Sequence, residues 1–189
     1  HSMGTLIARN YISKYDDEIT KLILCGPPTK NNLVDIGLLV AKLDNIFGNP
    51  RKPNEFLNKL TIESFNKYYK HPNEWLSKNE KNVTNYNSDP LCGFIFTTNG
   101  FLNLFSLQKH AFKKKDYLVK NKYLDIFLLA GACDPVIISI KKFKELEKFL
   151  EALGYRNITS KVYPYLRHDL IQEEEKDIII QDILEFIRK

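Results

Sequence analysis

Runs of apolar residues near both ends of the chain predict the strands of one sheet. The stretches "KLILCG" (21–26) and "YLDIFLLAGACDPV" (123–136) are nearly continuous in apolar residues and lead into glycine-containing turns. Such runs are typical of strands that are buried on both faces. A third, shorter strand is predicted in "NITSKVYPY" (157–165), where apolar and polar residues are mixed.

Helical spacing of apolar residues predicts the elements between and beside these strands. One helix is predicted from Ile140, Phe143, Leu146, Phe149, Leu150 and Leu153, with Gly154 as its C-terminal cap, and a last helix from Ile179, Ile180, Ile183, Leu184 and Ile187. Near the start of the chain, one face of a short helix is predicted from Leu6, Ile7, Tyr11 and Ile12. The order strand, helix, strand, helix predicts an α/β fold with a parallel sheet and covering helices.

The middle of the chain follows a different pattern. Between residues 27 and 122 the sequence changes to short amphipathic stretches and aromatic-rich loops, with prolines at positions 50, 53, 72 and 90. We interpret this stretch as an inserted helical cap. The predicted organisation is therefore core at 1–26, cap at 27–122 and core again at 123–189.

Composition and charge narrow the classes of protein. Hydrophobic residues make up 43% of the 189 and charged residues 27%, and no apolar run is long enough to cross a bilayer, which predicts a soluble globular protein. The net charge of +5 comes from scattered lysines without an arginine cluster, so we expect no nucleic-acid partner. These lysines predict either a solvated face or transient contact with an anionic membrane surface. Cys25, Cys92 and Cys133 lack the spacing of a zinc site, which predicts free thiols and a cytoplasmic location. We expect no metal and no cofactor.

Three residues carry the candidate chemistry. Ser2 stands in His1-Ser2-Met3-Gly4, directly before the first predicted helix, and this tetrapeptide matches the last four positions of the G-x-S-x-G turn that exposes a nucleophilic serine. Residues left by a cloning vector would look similar, but the uninterrupted continuation into the helix favours the turn. Asp134 and His168 follow the second and third strands; taken singly, they could be an Asp-Pro turn and a surface-loop histidine. The order serine, aspartate, histidine at strand ends predicts a catalytic triad.

Longer stretches extend this pattern, namely "HSMGTLIARNYI", "EWLSKNEKNVTNYNSDPLCGFIFT", "GACDPV" and "YPYLRHDL". In them the chain resembles the C-terminal part of the α/β-hydrolases of the monoacylglycerol lipase and lysophospholipase type, which are grouped with serine aminopeptidases. The resemblance implies a serine hydrolase that cleaves carboxylic esters such as monoacylglycerols or lysophospholipids. It also implies that the backbone N–H of Met3 forms part of an oxyanion hole, with a second donor from an earlier loop.

In this family the cap forms a lid over an acyl-binding pocket. The candidate lining residues are Trp75, Phe94, Phe96, Phe101 and Phe105, and a purely structural packing role is an equal alternative for each of them. We expect Asp169 to interact with solvent or a helix N-terminus rather than with substrate, His1 to belong only to the serine turn, and His71 and His110 to lie on the surface.

The resemblance begins inside the serine turn, so the family's earlier strands would precede residue 1. The first strand, around Leu22 to Leu24, is then expected to be an apolar sheet edge. That edge would be covered by the missing N-terminal half of the fold or by self-association. The alternative to an active enzyme is a catalytically incompetent fragment or a non-catalytic binding module of the same fold.

Overall fold

Three parallel strands form the sheet of the protein, whose computed structural model describes all 189 residues. The strands are β1 (Lys21–Cys25), β2 (Asp125–Gly131) and β3 (Ile158–Tyr163), in the order β1-β2-β3. The helices are α1 (Met3–Tyr15), α2 (Val34–Phe47), α3 (Glu55–Leu60), α4 (Glu80–Ser88), α5 (Thr98–Ala111), α6 (Ile140–Leu153) and α7 (Lys176–Arg188). The predicted α/β fold with a parallel sheet and covering helices is confirmed.

The central strand β2 organises the core because helices cover both of its faces. Leu128 and its neighbours two positions away pack with Ile12 of α1 and Phe143 of α6. Phe127 and Leu129 point to the other face and pack with Ile179 of α7. Burial of each large apolar side chain contributes roughly 1.5–3 kcal/mol, so β2 contributes strongly to the stability of the core.

The predicted buried face of α1 is wrong for two of its four residues. Leu6 and Ile12 are fully buried, but the exposed fractions of Ile7 and Tyr11 are 53% and 42%. Arg9, which lies between Ile7 and Tyr11 in the sequence, is fully buried. The helix therefore turns Arg9 inward, and Ile7 and Tyr11 face outward.

Arg9 is accommodated by one strong hydrogen bond and an aromatic ring. Its Nη2 donates to the carbonyl oxygen of Pro28 at 2.9 Å, and the guanidinium lies 4.5 Å from the ring centre of Phe112. Desolvation lowers the pKa of Arg9 to about 10, which leaves it charged at neutral pH. A count of apolar positions treats arginine as solvent-facing, and for this reason it misplaces the buried face.

Helices α6 and α7 have narrower buried faces than their spacing predicts. In α6 Phe143, Leu146 and Leu150 are buried while Ile140 is exposed, and in α7 only Ile179 is buried. The predicted α7 residues that are exposed are Ile180, Leu184 and Ile187. Helical spacing shows which residues share a face, but the width of the covered face depends on the sheet beneath it.

The stretch between β1 and β2 contains helices α2 to α5. Its core consists of Val34, Leu38, Ala41, Leu57, Phe101 and Phe105. Helix α5 also packs on α1, where Asn10 Nδ2 donates to the carbonyl oxygen of Leu107 at 2.9 Å. None of the helices of the protein combines the length and the apolar character that a membrane span requires.

Exposed apolar side chains occur on several surfaces, two of which lie on the stretch between β1 and β2 and on α1. The apolar cap surface on and beside α2 and α3 consists of Leu33, Ile36, Leu39, Leu43, Ile46, Phe47, Phe56 and Leu60. The second surface is the outer face of α1, with Met3, Ile7, Tyr11 and Tyr15, beside the edge strand β1. Contiguous exposed apolar side chains are typical of surfaces that bind a partner.

Candidate active site

Ser2 is held in a backbone conformation that serine rarely adopts. It precedes α1 with φ +50° and ψ −125°, and a positive φ is uncommon for residues other than glycine. Its N–H donates to the carbonyl oxygen of Cys25 at the end of β1 at 3.0 Å, and its own carbonyl oxygen accepts from the N–H of Thr5 at 2.9 Å. Such a conformation costs on the order of 1–3 kcal/mol and is typical of functional sites.

Asp134 and His168 extend from the carboxyl ends of β2 and β3 toward Ser2. Asp134 is buried, its Oδ1 accepts from the N–H of Val136 at 2.8 Å, and its Oδ2 lies 2.9 Å from His168 Nδ1. His168 is also buried, and its Nε2 lies 2.8 Å from Ser2 Oγ. The structure thus brings the three predicted triad residues into one chain of hydrogen bonds.

This arrangement has the geometry of proton transfer from a hydroxyl. Because the Asp134 carboxylate can only accept, it favours the tautomer in which His168 Nδ1 carries the proton, which leaves Nε2 as an acceptor for the Ser2 hydroxyl. Met3 is the first residue of α1, and its backbone N–H donates no hydrogen bond within the chain. A free N–H at the positive end of a helix is suited to bind a developing oxyanion.

The imidazole of His168 lies between two other rings. Its centroid is 5.3 Å from that of Trp75 and 4.6 Å from that of His1. His1 Nε2 lies 3.1 Å from the carbonyl oxygen of His168 and 3.3 Å from Asp169 Oδ1. The Asp169 side chain thus pairs with His1 while remaining 28% exposed, and partial burial raises the pKa of its carboxyl.

One group of side chains has the composition of a metal site. The ligand atoms of His1, His168 and Asp169 lie within 4.8 Å of one another. Both ring nitrogens of His168 already bond Ser2 and Asp134. A cation bound to either ring nitrogen would displace one of these two partners, so metal binding and the hydrogen-bond chain exclude each other.

The five aromatic residues predicted to line an acyl pocket occupy different surroundings. Trp75 is buried against His168. Phe101 and Phe105 are buried in the cap core beside α2, whereas Phe94 is 66% exposed and Phe96 packs between Phe94 and Phe101. Of the five, only Trp75 contacts a predicted triad residue.

Sequence reasoning does not single out Glu173, which is buried behind the histidine loop. It stands in the acidic run Glu173-Glu174-Glu175, and such a run is usually a solvated surface. In the sequence, Glu173 is marked only by its position five residues after His168, and this spacing indicates a role only once the loop geometry is known.

Several features together define a class of protein. They are a parallel sheet with helices on both faces, a serine in a sharp turn before a helix, and an acid and a histidine after later strands. This is the α/β-hydrolase fold. The model of the serine aminopeptidase S33 family matches residues 1–175, and the chain belongs to this family.

Solved structures agree with this fold. A thermostable carboxyl esterase from Bacillus coagulans superimposes with a TM-score of 0.87 at 23% identity, over 100% of this chain and 62% of the esterase. The monoacylglycerol lipase of Paleococcus ferrophilus gives 0.68 at 18% identity, over 98% of this chain and 65% of the lipase. A soluble variant of monoglyceride lipase from Saccharomyces cerevisiae gives 0.67 at 18% identity, over 100% and 62%.

The chain thus spans 62 to 65% of the length of these three proteins. Comparison with curated protein sequences gives no match. At identities of 18 to 23% the structural likeness shows the fold, whereas the activity depends on the residues of the site.

Proposed function

We propose that the protein is a serine hydrolase that cleaves carboxylic esters through an acyl-enzyme intermediate. The observation that carries this proposal is the hydrogen-bond chain from Ser2 Oγ through His168 to Asp134, with distances of 2.8 and 2.9 Å. The strained backbone of Ser2 supports it, because strain of this kind persists only where surrounding structure enforces it.

In the proposed mechanism each residue has one role. His168 Nε2 takes the proton of the Ser2 hydroxyl as Oγ attacks the ester carbonyl, and it later returns this proton to the leaving alcohol. Asp134 orients the imidazole and stabilises its cation. The N–H of Met3 binds the oxyanion. A water molecule, deprotonated by His168 Nε2, then attacks the carbonyl of the acyl-enzyme. The acid leaves as His168 returns this proton to Ser2 Oγ.

We propose a lipid-like ester, a monoacylglycerol or lysophospholipid, as the substrate. An open groove of about 420 Å³ between α1 and α5 supports this proposal, since Met3, the residue after the serine, lines it together with Leu104, Leu107 and five polar or small residues. A groove that begins beside the nucleophile is suited to hold an acyl chain. The two monoacylglycerol lipases among the similar structures point to the same class of ester.

A fluorophosphonate probe tests the nucleophile, because it reacts with serines that a neighbouring base has activated. We expect labelling of the wild-type protein and of the control Ser88→Ala, which changes an exposed serine in α4, but none of Ser2→Ala. Turnover of esters of graded acyl length would then rank the substrates. Labelling that persists in Ser2→Ala would refute the assignment.

The second candidate function is a non-catalytic binding module of the same fold. It is favoured by the oxyanion site as described, in which the N–H of Met3 is one backbone donor, since an oxyanion hole that works with one donor fewer costs roughly 10²–10³ in rate. A wild-type chain that is folded by circular dichroism, binds lipid esters and does not react with the probe would favour this candidate.

We further propose transient contact between the apolar cap surface and a lipid surface. Phe47 and Ile46 at the end of α2 are 84% and 70% exposed, and scattered lysines give the chain its net charge of +5. Apolar side chains with basic neighbours favour an anionic interface. Co-sedimentation with anionic vesicles should weaken in Phe47→Ser and with added salt; unchanged binding would contradict the proposal.

We last propose that further strands of the same fold, or a second copy of the chain, cover the outer face of α1 and the edge of β1. Ile7 and Tyr11 are 53% and 42% exposed on this side of the molecule. Sedimentation of the 189-residue chain should show self-association. A cooperatively folding monomer would contradict this.

A further inference from the structure

A buried carboxylate lies directly behind the histidine loop. Glu173 is 1% exposed, and its two oxygens accept from Ser77 Oγ at 2.8 Å, from the N–H of Lys78 at 3.1 Å and from the N–H of Arg167 at 3.2 Å. No lysine or arginine forms a salt bridge with it; Lys78 Nζ pairs with Glu175 instead. A carboxylate is costly to bury, so these donors are what holds Glu173 in place.

The donors belong to two segments that are far apart in the sequence. One is the cap segment Glu74–Lys78, which lies between β1 and β2. The other is the histidine loop Leu166–Asp169, which follows β3. Glu173 is therefore a bridge between the cap and the core.

Other hydrogen bonds join the same two segments. Arg167 Nη1 donates to the carbonyl oxygens of Glu74 at 2.5 Å and Ser77 at 2.9 Å. The N–H of His168 donates to the carbonyl oxygen of Trp75 at 3.3 Å, and the N–H of Asp169 donates to that of Leu76 at 2.7 Å. The backbone of the histidine loop is thus held on the cap segment residue by residue.

His168 lies at the centre of this bonded loop. The residue before it is held by Glu173 through its N–H and by the cap segment through its guanidinium, and the residue after it by Leu76. The imidazole must keep distances of 2.8 and 2.9 Å to Ser2 and Asp134. A displacement of about 1 Å in such a group costs roughly 10²-fold in rate.

We propose that Glu173 is a positioning residue, which fixes the loop that presents His168 to Ser2 by joining this loop to the cap segment Glu74–Lys78. The inference rests on the proposed function of the same triad. Glu173 touches no reacting atom, and its effect passes through the backbone of Arg167.

Glu173→Gln tests the inference because it keeps the shape of the side chain and turns one acceptor into a donor that faces other donors. The matched control is Glu174→Gln, since Glu174 is the exposed neighbour in the same acidic run. Turnover of p-nitrophenyl butyrate is measured per serine titrated with fluorophosphonate, so that any loss of folded protein is divided out. We expect kcat per titrated site to fall roughly 10²-fold in Glu173→Gln, with KM within about 2-fold and the control unchanged.

Ser77→Ala provides a milder variant that removes one of the donors to Glu173, together with an acceptor of the Asn79 N–H and of Asn82 Nδ2, and it should show a smaller fall in the same quantity. A purely structural role would lower the number of titrated sites and leave kcat per site at the wild-type value. That result in both variants would overturn the inference.

A readout without turnover separates this inference from the proposed function. A proton shared between His168 Nδ1 and Asp134 resonates far downfield of the amide protons in a nuclear magnetic resonance spectrum. We expect this signal in the wild-type protein and in Glu174→Gln, and its loss or broadening in Glu173→Gln. If the wild-type protein neither labels nor turns over, the proposed function fails, while a signal unaltered in Glu173→Gln would overturn the positioning role.

Discussion

Gly131 at the end of β2 is the position where the smallest change should have a large effect. A Cβ atom on this residue would lie 2.3 Å from the carbonyl oxygens of Leu166 and Arg167 and 2.5 Å from the carbonyl carbon of Leu166. These are backbone atoms of the histidine loop, and they cannot turn aside as a flexible side chain would. Gly131→Ala must therefore move either the end of β2 or the loop that carries His168.

The size of the effect follows from this distance. A carbon and a carbonyl oxygen in contact are separated by about 3.3 Å, so the loop has to retreat by roughly 1 Å. Inserting a methyl group into a packed site costs about 1–3 kcal/mol. In a domain of this length each kcal/mol lowers Tm by roughly 2–4 °C, so we expect a decrease of roughly 2–12 °C. Because the displaced imidazole would activate Ser2 less well, Ser2 should also react with fluorophosphonate roughly 10²-fold more slowly.

Thermal unfolding followed by circular dichroism measures the first effect, and the labelling rate of the folded fraction measures the second. The stability control is Gly4→Ala, where a Cβ would meet no atom within 4 Å and alanine favours the helix by up to about 1 kcal/mol. Gly131→Ala with the Tm and labelling rate of the wild-type protein would show that the loop has room, and the reasoning would be refuted.

Two further predictions concern the core. Desolvation raises the pKa of Cys25 to about 12, so at pH 8 its thiolate is on the order of 10³-fold rarer than that of an ordinary thiol. Mass spectrometry after iodoacetamide treatment should therefore find the exposed Cys133 alkylated well before Cys25. Equal rates of alkylation would contradict this. Phe143→Ala should lower the free energy of unfolding in urea by roughly 3–5 kcal/mol because Phe143 is fully buried, whereas Phe47→Ala, at an 84% exposed position, should change it by less than about 0.5 kcal/mol; similar values for the two would contradict the assigned core.

Strands β1 and β2 could be predicted because they are continuous apolar runs, unlike the mixed sequence of β3. The run that becomes β2 is buried at six successive positions, from Ile126 to Gly131, and only a strand with helices on both faces has this pattern. The candidate triad could be named for a related reason. Parallel strands end at one edge of the sheet, so residues that follow different strands meet there.

The faces of the helices could not be predicted with the same success. Arg9 is buried because its charge finds a carbonyl oxygen and an aromatic ring, and both come from distant parts of the chain. Glu173 is buried for the same kind of reason, whereas its neighbour Glu174 is exposed. Burial of a charged residue is decided by partners in space, and a one-dimensional pattern contains no information about them.

The bonds between Glu74–Lys78 and the histidine loop have a consequence for protein engineering. A design that deletes the whole stretch between β1 and β2 to obtain a minimal scaffold would also remove the acceptors of the His168 and Asp169 N–H groups. The cut should instead spare these five residues and rejoin the chain on either side of them. Helices α2 and α5, which pack mainly on each other and on α1, are the parts open to exchange for new specificity.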